Sequence, residues 1–193
     1  MAGCRIWIVP SIASSGRRRA QTPSSTPRGN WSSTTISGPD AILPNSNFSD
    51  LLSIFAEHNV RYLIVGGYAL MLYCEPRFTK DLDLWGDPSE SNAQAVFVAL
   101  RQFGAPLTGL TSLDFSSPGT YYQIGVAPVR IVILMSIDGV EFSDAWAGRE
   151  QRQFGGLMAN FLCRADLIRN KRASGRLQDL ADVEQLLAGA AES

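Results

Sequence analysis

The chain has 193 residues, 45% of them hydrophobic, so it can bury one sizeable core and has the composition of a soluble globular protein. Its formal net charge of −1 argues against a general polyanion binder. Three scattered cysteines argue against a disulfide scaffold, and no apolar run approaches the roughly 18 residues that a membrane span needs, so we expect a cytoplasmic protein without a membrane partner.

The first 44 residues differ from the rest of the chain in composition. They are rich in Ser, Thr, Pro, Gly and Arg and show no hydrophobic period, which predicts disorder. Residues 1–39 hold five arginines and no acidic residue, whereas residues 40–193 hold 12 basic and 18 acidic side chains. Such a segment is also typical of an organellar transit peptide, or of a start codon placed too far upstream. We expect a disordered or artefactual extension over residues 1–44 and one folded domain over 45–190.

The first half of the folded domain alternates helices with short strands. An amphipathic helix capped by Asn47 is predicted from apolar residues at i, i+3, i+4 and i+7, namely Phe48, Leu51, Leu52 and Phe55. Residues 61–65 form an apolar strand, residues 68–74 a short helix and residues 81–85 a second strand. A further helix begins after Ser89 and ends at Gly104.

The second half adds more strands and a helical end. After a loop over residues 105–120, two strands are predicted at 121–124 and 130–135, a turn at Asp138-Gly139, an edge strand at 157–162, and two helices within 166–188 that Gly175 separates. These elements predict an α/β or α+β domain, in which a small mixed sheet is flanked by helices and followed by a helical C-terminal segment.

Asp81 and Asp83 stand one residue apart on a predicted strand, downstream of Gly66 and Gly67. Side chains at i and i+2 of a strand point to the same face, so the two carboxylates repel each other unless a cation lies between them. A hard divalent cation with oxygen ligands, such as Mg²⁺, meets that need. The glycines let the backbone approach phosphate groups closely. By contrast, His58 is the only histidine of the chain, which argues against histidine-based triads and against most kinds of zinc site.

Three blocks of sequence carry a resemblance to a known superfamily. Residues 62–69, 77–83 and 166–176, in this order and spacing, resemble the nucleotidyltransferases with the DNA polymerase β-like fold. The similarity is to the small bacterial members, the minimal nucleotidyltransferases and the abortive-infection (AbiEii-like) toxin group, and it extends over residues 47–188.

The resemblance implies a nucleotidyltransferase that moves a nucleoside monophosphate from a nucleoside triphosphate to an acceptor hydroxyl of a protein, a tRNA or a small molecule. It implies Asp81 and Asp83 as catalytic metal ligands in a site of the two-metal type with Mg²⁺. The triphosphate would be held by five residues, namely Gly66, Gly67, Lys80, Lys171 and Arg176. A cognate toxin or antitoxin is the implied protein partner, whereas the net charge does not support a nucleic-acid partner.

Simpler interpretations of the same residues stay open. The acidic pair can belong to a solvated strand face, and the glycine pair to an ordinary turn. Lys171 and Arg176 can be a solvated helix end, because cations are favoured near a helix C-terminus. Asp179 and Asp182, at i and i+3 of the last helix, are best explained by a structural role.

One position departs from the superfamily pattern. Related sequences have a third carboxylate on a later strand, where this chain has Val132. Asp138 is expected to lie too far along the chain to replace it, and Asp114 lies in the preceding loop. The alternative function is therefore a catalytically impaired nucleotide-binding module that acts as an antitoxin or regulatory partner.

Overall fold

The computed structural model of the protein describes residues 6–8, 46–75, 79, 81–126 and 129–189. Within these ranges the fold is α+β, as the sequence predicts, with one mixed sheet flanked by helices and a helical C-terminal segment. Of residues 1–44, only Ile6–Ile8 is described, as a three-residue strand that the sequence did not predict. The disorder predicted for the remainder of that stretch lies outside the described residues.

The sheet has seven strands within the described part of the chain. They are β1 (Ile6–Ile8), β2 (Tyr62–Val65), β3 (Asp81–Gly86), β4 (Tyr121–Val126), β5 (Val129–Leu134), β6 (Glu150–Phe154) and β7 (Leu157–Phe161). Their order is β1-β4-β5-β3-β2-β7-β6, so β3 lies at the centre, antiparallel to β2 and parallel to β5. The strand predicted at residues 157–162 is confirmed as β7, but its predicted edge position was wrong, because β6 pairs with β7 on the side away from β2.

Six helices and one 3₁₀ turn are described around the sheet. They are α1 (Ser46–Glu57), α2 (Gly66–Leu70), α3 (Glu90–Phe103), the 3₁₀ turn Ser112–Ser116, α4 (Phe142–Ala147), α5 (Arg164–Ser174) and α6 (Leu177–Ala188). The predicted end of α3 at Gly104 and the break between α5 and α6 at Gly175 are confirmed, since both glycines adopt the left-handed conformation. Asn47 lies inside α1 instead of capping it.

Two further elements, besides β1 and the 3₁₀ turn, were absent from the sequence prediction for physical reasons. Helix α4 has only six residues, too few for a helical period to be recognised. Strand β6 carries an exposed Gln151, Arg152 and Gln153, and therefore lacks the alternation of apolar and polar residues that identifies a half-buried strand.

The core lies between the sheet and the helices. The predicted apolar face of α1 is fully buried there, and its members are Phe48, Leu51, Leu52 and Phe55. Burial of each such side chain contributes roughly 1.5–3 kcal/mol. Edge-to-face aromatic contacts extend from Phe48 through Tyr68 to Phe154, which joins α1 and α2 to β6. The strand-to-helix turn between β2 and α2 therefore rests on a well-packed base.

A buried charged cluster joins α5 to α6. Lys171 is only 4% exposed, and its Nζ lies 3.0 Å from Asp179 Oδ1 and 2.6 Å from Asp182 Oδ2. Burial raises the pKa of Asp179, but hydrogen bonds from Ser174, Lys171 and Arg176 outweigh it and lower that pKa to about 2. The structural role expected for both aspartates agrees with these contacts, whereas Lys171 does not lie at a solvated helix end.

Replacement of Lys171 by methionine should destabilise the protein strongly. The Lys171→Met variant keeps most of the side-chain volume but leaves two buried carboxylates without their shared cation, which costs about 3–5 kcal/mol. Arg172→Met, at the neighbouring exposed position of α5, should change stability by less than about 0.5 kcal/mol. Urea unfolding of the two variants measures this difference, and similar losses in both would contradict a stabilising role for the cluster.

Candidate active site

The acidic pair lies on the central strand of the sheet, flanked by two neighbouring strands. Asp81 and Asp83 are both half-buried on β3, on one face as predicted. On the β5 side Asp81 is in register with Arg130, and Asp83 is in register with Val132. The position expected to carry a third carboxylate thus does adjoin Asp83, and it presents a hydrocarbon side chain.

Arg130 is a site residue that sequence reasoning missed. Its Nη2 donates to Asp81 Oδ2 in an ion pair, with the two side chains 38% and 26% exposed. The hydrogen bond to Asp81 raises the pKa of Arg130 further. Among the described residues, Asp81 Oδ1 and Arg130 Nε are buried and have no hydrogen-bond partner. The sequence signal for Arg130 is that Arg130 and Val132 have the same spacing on one strand as Asp81 and Asp83 on the other. Using that signal requires the register of the two strands.

Gly66 is required by its contact with the acidic pair. Strand β2 ends at Val65 and α2 begins at Gly66, the strand-to-helix turn that the sequence predicts. Gly66 has a φ of +64°, and a Cβ placed on it would overlap Asp83 Oδ2. A Cβ on Gly67 would lie 2.7 Å from Thr79 Oγ1. Both glycines therefore bring backbone against polar side chains, closer than any larger residue allows.

A cavity of about 430 Å³ opens beside Asp83. Its walls come from the strands, from the loop that follows β5, and from α5 with the residue before α6. These residues are Val65, Gly66, Asp83, Leu134, Ser136, Ile137, Asp138, Asn170, Ser174 and Arg176. The volume is within the range of small-molecule sites.

Asp138 lines the same cavity as Asp83, but among the described residues it does not form a metal-binding group with the acidic pair. The loop folds back over α5, where Asn170 Nδ2 donates to the Asp138 carbonyl oxygen at 3.0 Å and Gly139 packs closely against Ala173. Asp114 has a different place. Its carboxylate caps the 3₁₀ turn by accepting bonds from the Thr111 backbone and hydroxyl.

The predicted phosphate-binding cations are placed differently from one another. Arg176 lines the cavity, and its Nε donates to Ser174 Oγ at 3.0 Å and to Asp179 Oδ2 at 2.5 Å, while most of the side chain is exposed. Lys171 is turned instead toward Asp179 and Asp182 and does not line the cavity. Lys80 lies outside the described residues.

The two carboxylates differ in their electrostatic environment. Burial and the negative charge of Asp81 raise the pKa of Asp83 to about 6, although Arg130, Arg176 and Lys171 act in the opposite direction. Asp83 has no hydrogen bond among the described residues. A cation next to Asp83 would therefore relieve a repulsion that the protein itself offsets only in part.

The oxygen donors fit a hard divalent cation. Asp81 Oδ1 is a buried acceptor that lacks a partner among the described residues, and Asp83 lines the cavity. Mg²⁺ is commonly bound by one or two carboxylates together with substrate phosphates and water. The described residues contain no group of three or more histidine, cysteine or acidic residues placed to hold a metal ion. The two carboxylates would thus leave most of the coordination of such an ion to other oxygen atoms.

Comparison with known proteins gives limited similarity. No family model matches the chain, and no curated protein matches it either. Among solved structures, the chain is similar to the lincosamide antibiotic adenylyltransferase LnuA bound to lincomycin, with a TM-score of 0.44 and 12% sequence identity. The match covers 75% of this chain and 96% of that one. Similarity at this level does not assign the chain to a family.

None of the described helices has the length and apolarity to cross a membrane.

The Gly66 contact should make this glycine more sensitive to substitution than glycines with the same backbone conformation. Gly109 has a φ of +78° and open space around it, so Gly109→Ala carries only the backbone strain of about 1–2 kcal/mol. Gly66→Ala should lower the free energy of unfolding by about 1–3 kcal/mol more than Gly109→Ala does, because its methyl group overlaps Asp83. Chemical denaturation of both variants gives the comparison. Equal losses would show that the contact with Asp83 is not a constraint.

Neutralisation of Asp83 should stabilise the protein near pH 7. Since the folded-state pKa is about 6 and the ordinary pKa of the group is 3.8, the unfolded chain releases this proton first and stability falls as pH rises through that window. Asp83→Asn should therefore raise the free energy of unfolding by about 1–3 kcal/mol at pH 7, and by little below pH 4. Unfolding at a series of pH values measures it, with the exposed Asp50→Asn as control. A gain independent of pH would show that ionisation of Asp83 is not its cause.

Proposed function

We propose that this protein binds a nucleoside triphosphate with a divalent cation in the cavity beside Asp83, and transfers its nucleoside monophosphate to an acceptor hydroxyl. One observation carries the proposal. Asp83 lines a cavity of ligand size, Asp81 stands beside it on the same face of β3, and Gly66 brings backbone close against Asp83 Oδ2. Carboxylates, a close backbone and a cationic rim are the parts from which nucleotidyl transfer sites are built.

Each of these residues has a proposed task. Asp83 and the second oxygen of Asp81 hold the cation, which neutralises charge on the phosphates when bound. Arg176, at the cavity rim, donates to phosphate oxygens while Asp179 fixes its orientation. Backbone at Gly66 and Gly67 lies close to the same phosphates, and Lys80 remains a predicted phosphate ligand. The acceptor oxygen forms its bond to the α-phosphorus as pyrophosphate leaves.

The acceptor belongs to a separate part of the proposal. Residues 40–193 carry more acidic than basic side chains, which disfavours a tRNA acceptor and favours a protein side chain or a small molecule. A role in a toxin–antitoxin pair, suggested by the resemblance to the AbiEii-like group, is part of the same proposal. Its simplest indication would be a neighbouring gene for a small helix-rich or DNA-binding protein.

A second candidate function is favoured by two contacts of the acidic pair. Val132 presents no oxygen beside Asp83, and Arg130 occupies Oδ2 of Asp81. Both remove oxygen ligands from the place where a metal ion is needed for catalysis. The alternative is therefore a module that binds the nucleotide and regulates a partner without transferring the nucleotide group.

The two functions are separated by a transfer assay with nucleoside triphosphates labelled at the α-phosphate, in Mg²⁺, alongside calorimetric titration with Mg²⁺·ATP. For an enzyme, Asp81→Ala combined with Asp83→Ala should reduce transfer at least about 100-fold without unfolding the protein. Asp50→Ala, at an exposed position of α1, is the control. Transfer that survives the double substitution would overturn the proposed function.

For a regulatory module, the wild-type chain should bind Mg²⁺·ATP and transfer nothing. Val132→Asp restores an oxygen ligand at the position in register with Asp83. Transfer by this variant alone would identify the natural chain as an enzyme that has lost its third carboxylate. Failure of both proteins to bind any nucleoside triphosphate would exclude both functions.

A further inference from the structure

The acidic pair already has a cation in the protein itself. Arg130 on β5 pairs with Asp81 on β3 through one guanidinium nitrogen and one carboxylate oxygen. Five consecutive residue pairs fix the register between these strands, from Asp81 with Arg130 to Trp85 with Leu134. The backbone of both partners is thus held by the central ladder of the sheet, which brings the Arg130 guanidinium to Asp81.

The oxygen atoms left at the site are enough for one divalent cation and too few for two. Asp83 and Asp81 Oδ1 have no hydrogen-bond partner among the described residues, whereas Asp81 Oδ2 accepts from Arg130. Two ions bridged by a carboxylate pair lie about 3.5–4 Å apart and need both oxygens of a shared carboxylate or a further acidic ligand. The neighbouring position that could supply such a ligand is Val132.

We propose that Arg130 takes the place of a second divalent cation at this site, so that the chain loads one divalent cation with its nucleotide. The inference rests on the proposed function and specifies its metal requirement. The three side chains Asp81, Asp83 and Arg130 sum to a charge of −1, which one divalent cation is sufficient to reverse. A second ion would have to displace a guanidinium from its carboxylate or share the carboxylate with it, against the repulsion between the two cations.

A purely structural ion pair between β3 and β5 is the competing explanation. That role predicts that neutral substitutions of Arg130 lower stability and leave the number of bound metal ions unchanged. Replacement of a metal ion predicts the opposite pattern in the metal count, because the freed Asp81 oxygen becomes a ligand. The number of bound ions therefore separates the explanations independently of any catalytic rate.

The test is a count of Mn²⁺ ions per chain by electron paramagnetic resonance, on the full chain with a triphosphate analogue that cannot be transferred. Wild-type protein should bind one ion. Arg130→Gln and Arg130→Met should each bind two, the second at least about tenfold more tightly than any second ion in wild type. Arg130→Lys keeps the charge and should bind one. Arg152→Gln breaks a similar ion pair with Glu150 on β6, away from the cavity, and should also bind one.

The outcomes distinguish this inference from the proposed function. Two ions in wild type, or one ion in a neutral Arg130 variant that melts as a folded protein, would overturn the inference while nucleotide binding still supports the proposed function. If wild type binds neither nucleotide nor Mn²⁺, the proposed function and the inference both fail. Two neutral variants are included so that the loss of one to misfolding leaves the count measurable in the other.

Discussion

Repulsion between two carboxylates on the central strand is the constraint around which the site is arranged. Asp83 is paired with both β2 and β5, and Asp81 with β5, so the sheet holds the backbone of the two residues at a fixed spacing. The repulsion is compensated differently at each of the two carboxylates. Arg130 neutralises Asp81 from the neighbouring strand, whereas Asp83 receives no direct partner within the described residues and its pKa rises instead. Gly66 brings backbone close against the carboxylate that is still uncompensated.

A second group of buried charges, between α5 and α6, shows the opposite arrangement. Asp179 and Asp182 share Lys171, and the pKa of Asp179 falls to about 2 where that of Asp83 rises to about 6. The difference lies in the supply of donors, because Asp179 accepts hydrogen bonds from three side chains and Asp83 from none among the described residues. The helical cluster is therefore suited to hold structure, and it also fixes Arg176 at the cavity rim. The unsatisfied pair on β3 is suited to bind a ligand.

Local sequence patterns predicted the elements that create the site, and they failed where partners are distant in sequence. The apolar stripe of α1 and the capping glycines are short-range signals, and the structure confirms them. Arg130 was missed because its partner is 49 residues away and depends on strand register. Lys171 was assigned to phosphate because the sequence could not show that two aspartates bury it. The sequence could not show that Asp138 lines the same cavity as Asp83, because the packing of its loop on α5 is a tertiary feature.

The two β5 residues next to the acidic pair are coupled through the sheet. Arg130 and Val132 are two residues apart on β5 and adjoin Asp81 and Asp83 in turn, so they lie on the same face. A carboxylate at position 132 would place a third negative charge within reach of the guanidinium, and the pair would then compete for Arg130 with the new acid. With valine there, Arg130 is committed to Asp81 and the negative charge left at the site is that of Asp83. Val132 and Arg130 thus belong to one charge balance, in which Arg130 offsets part of the negative charge of the acidic pair and Val132 adds none.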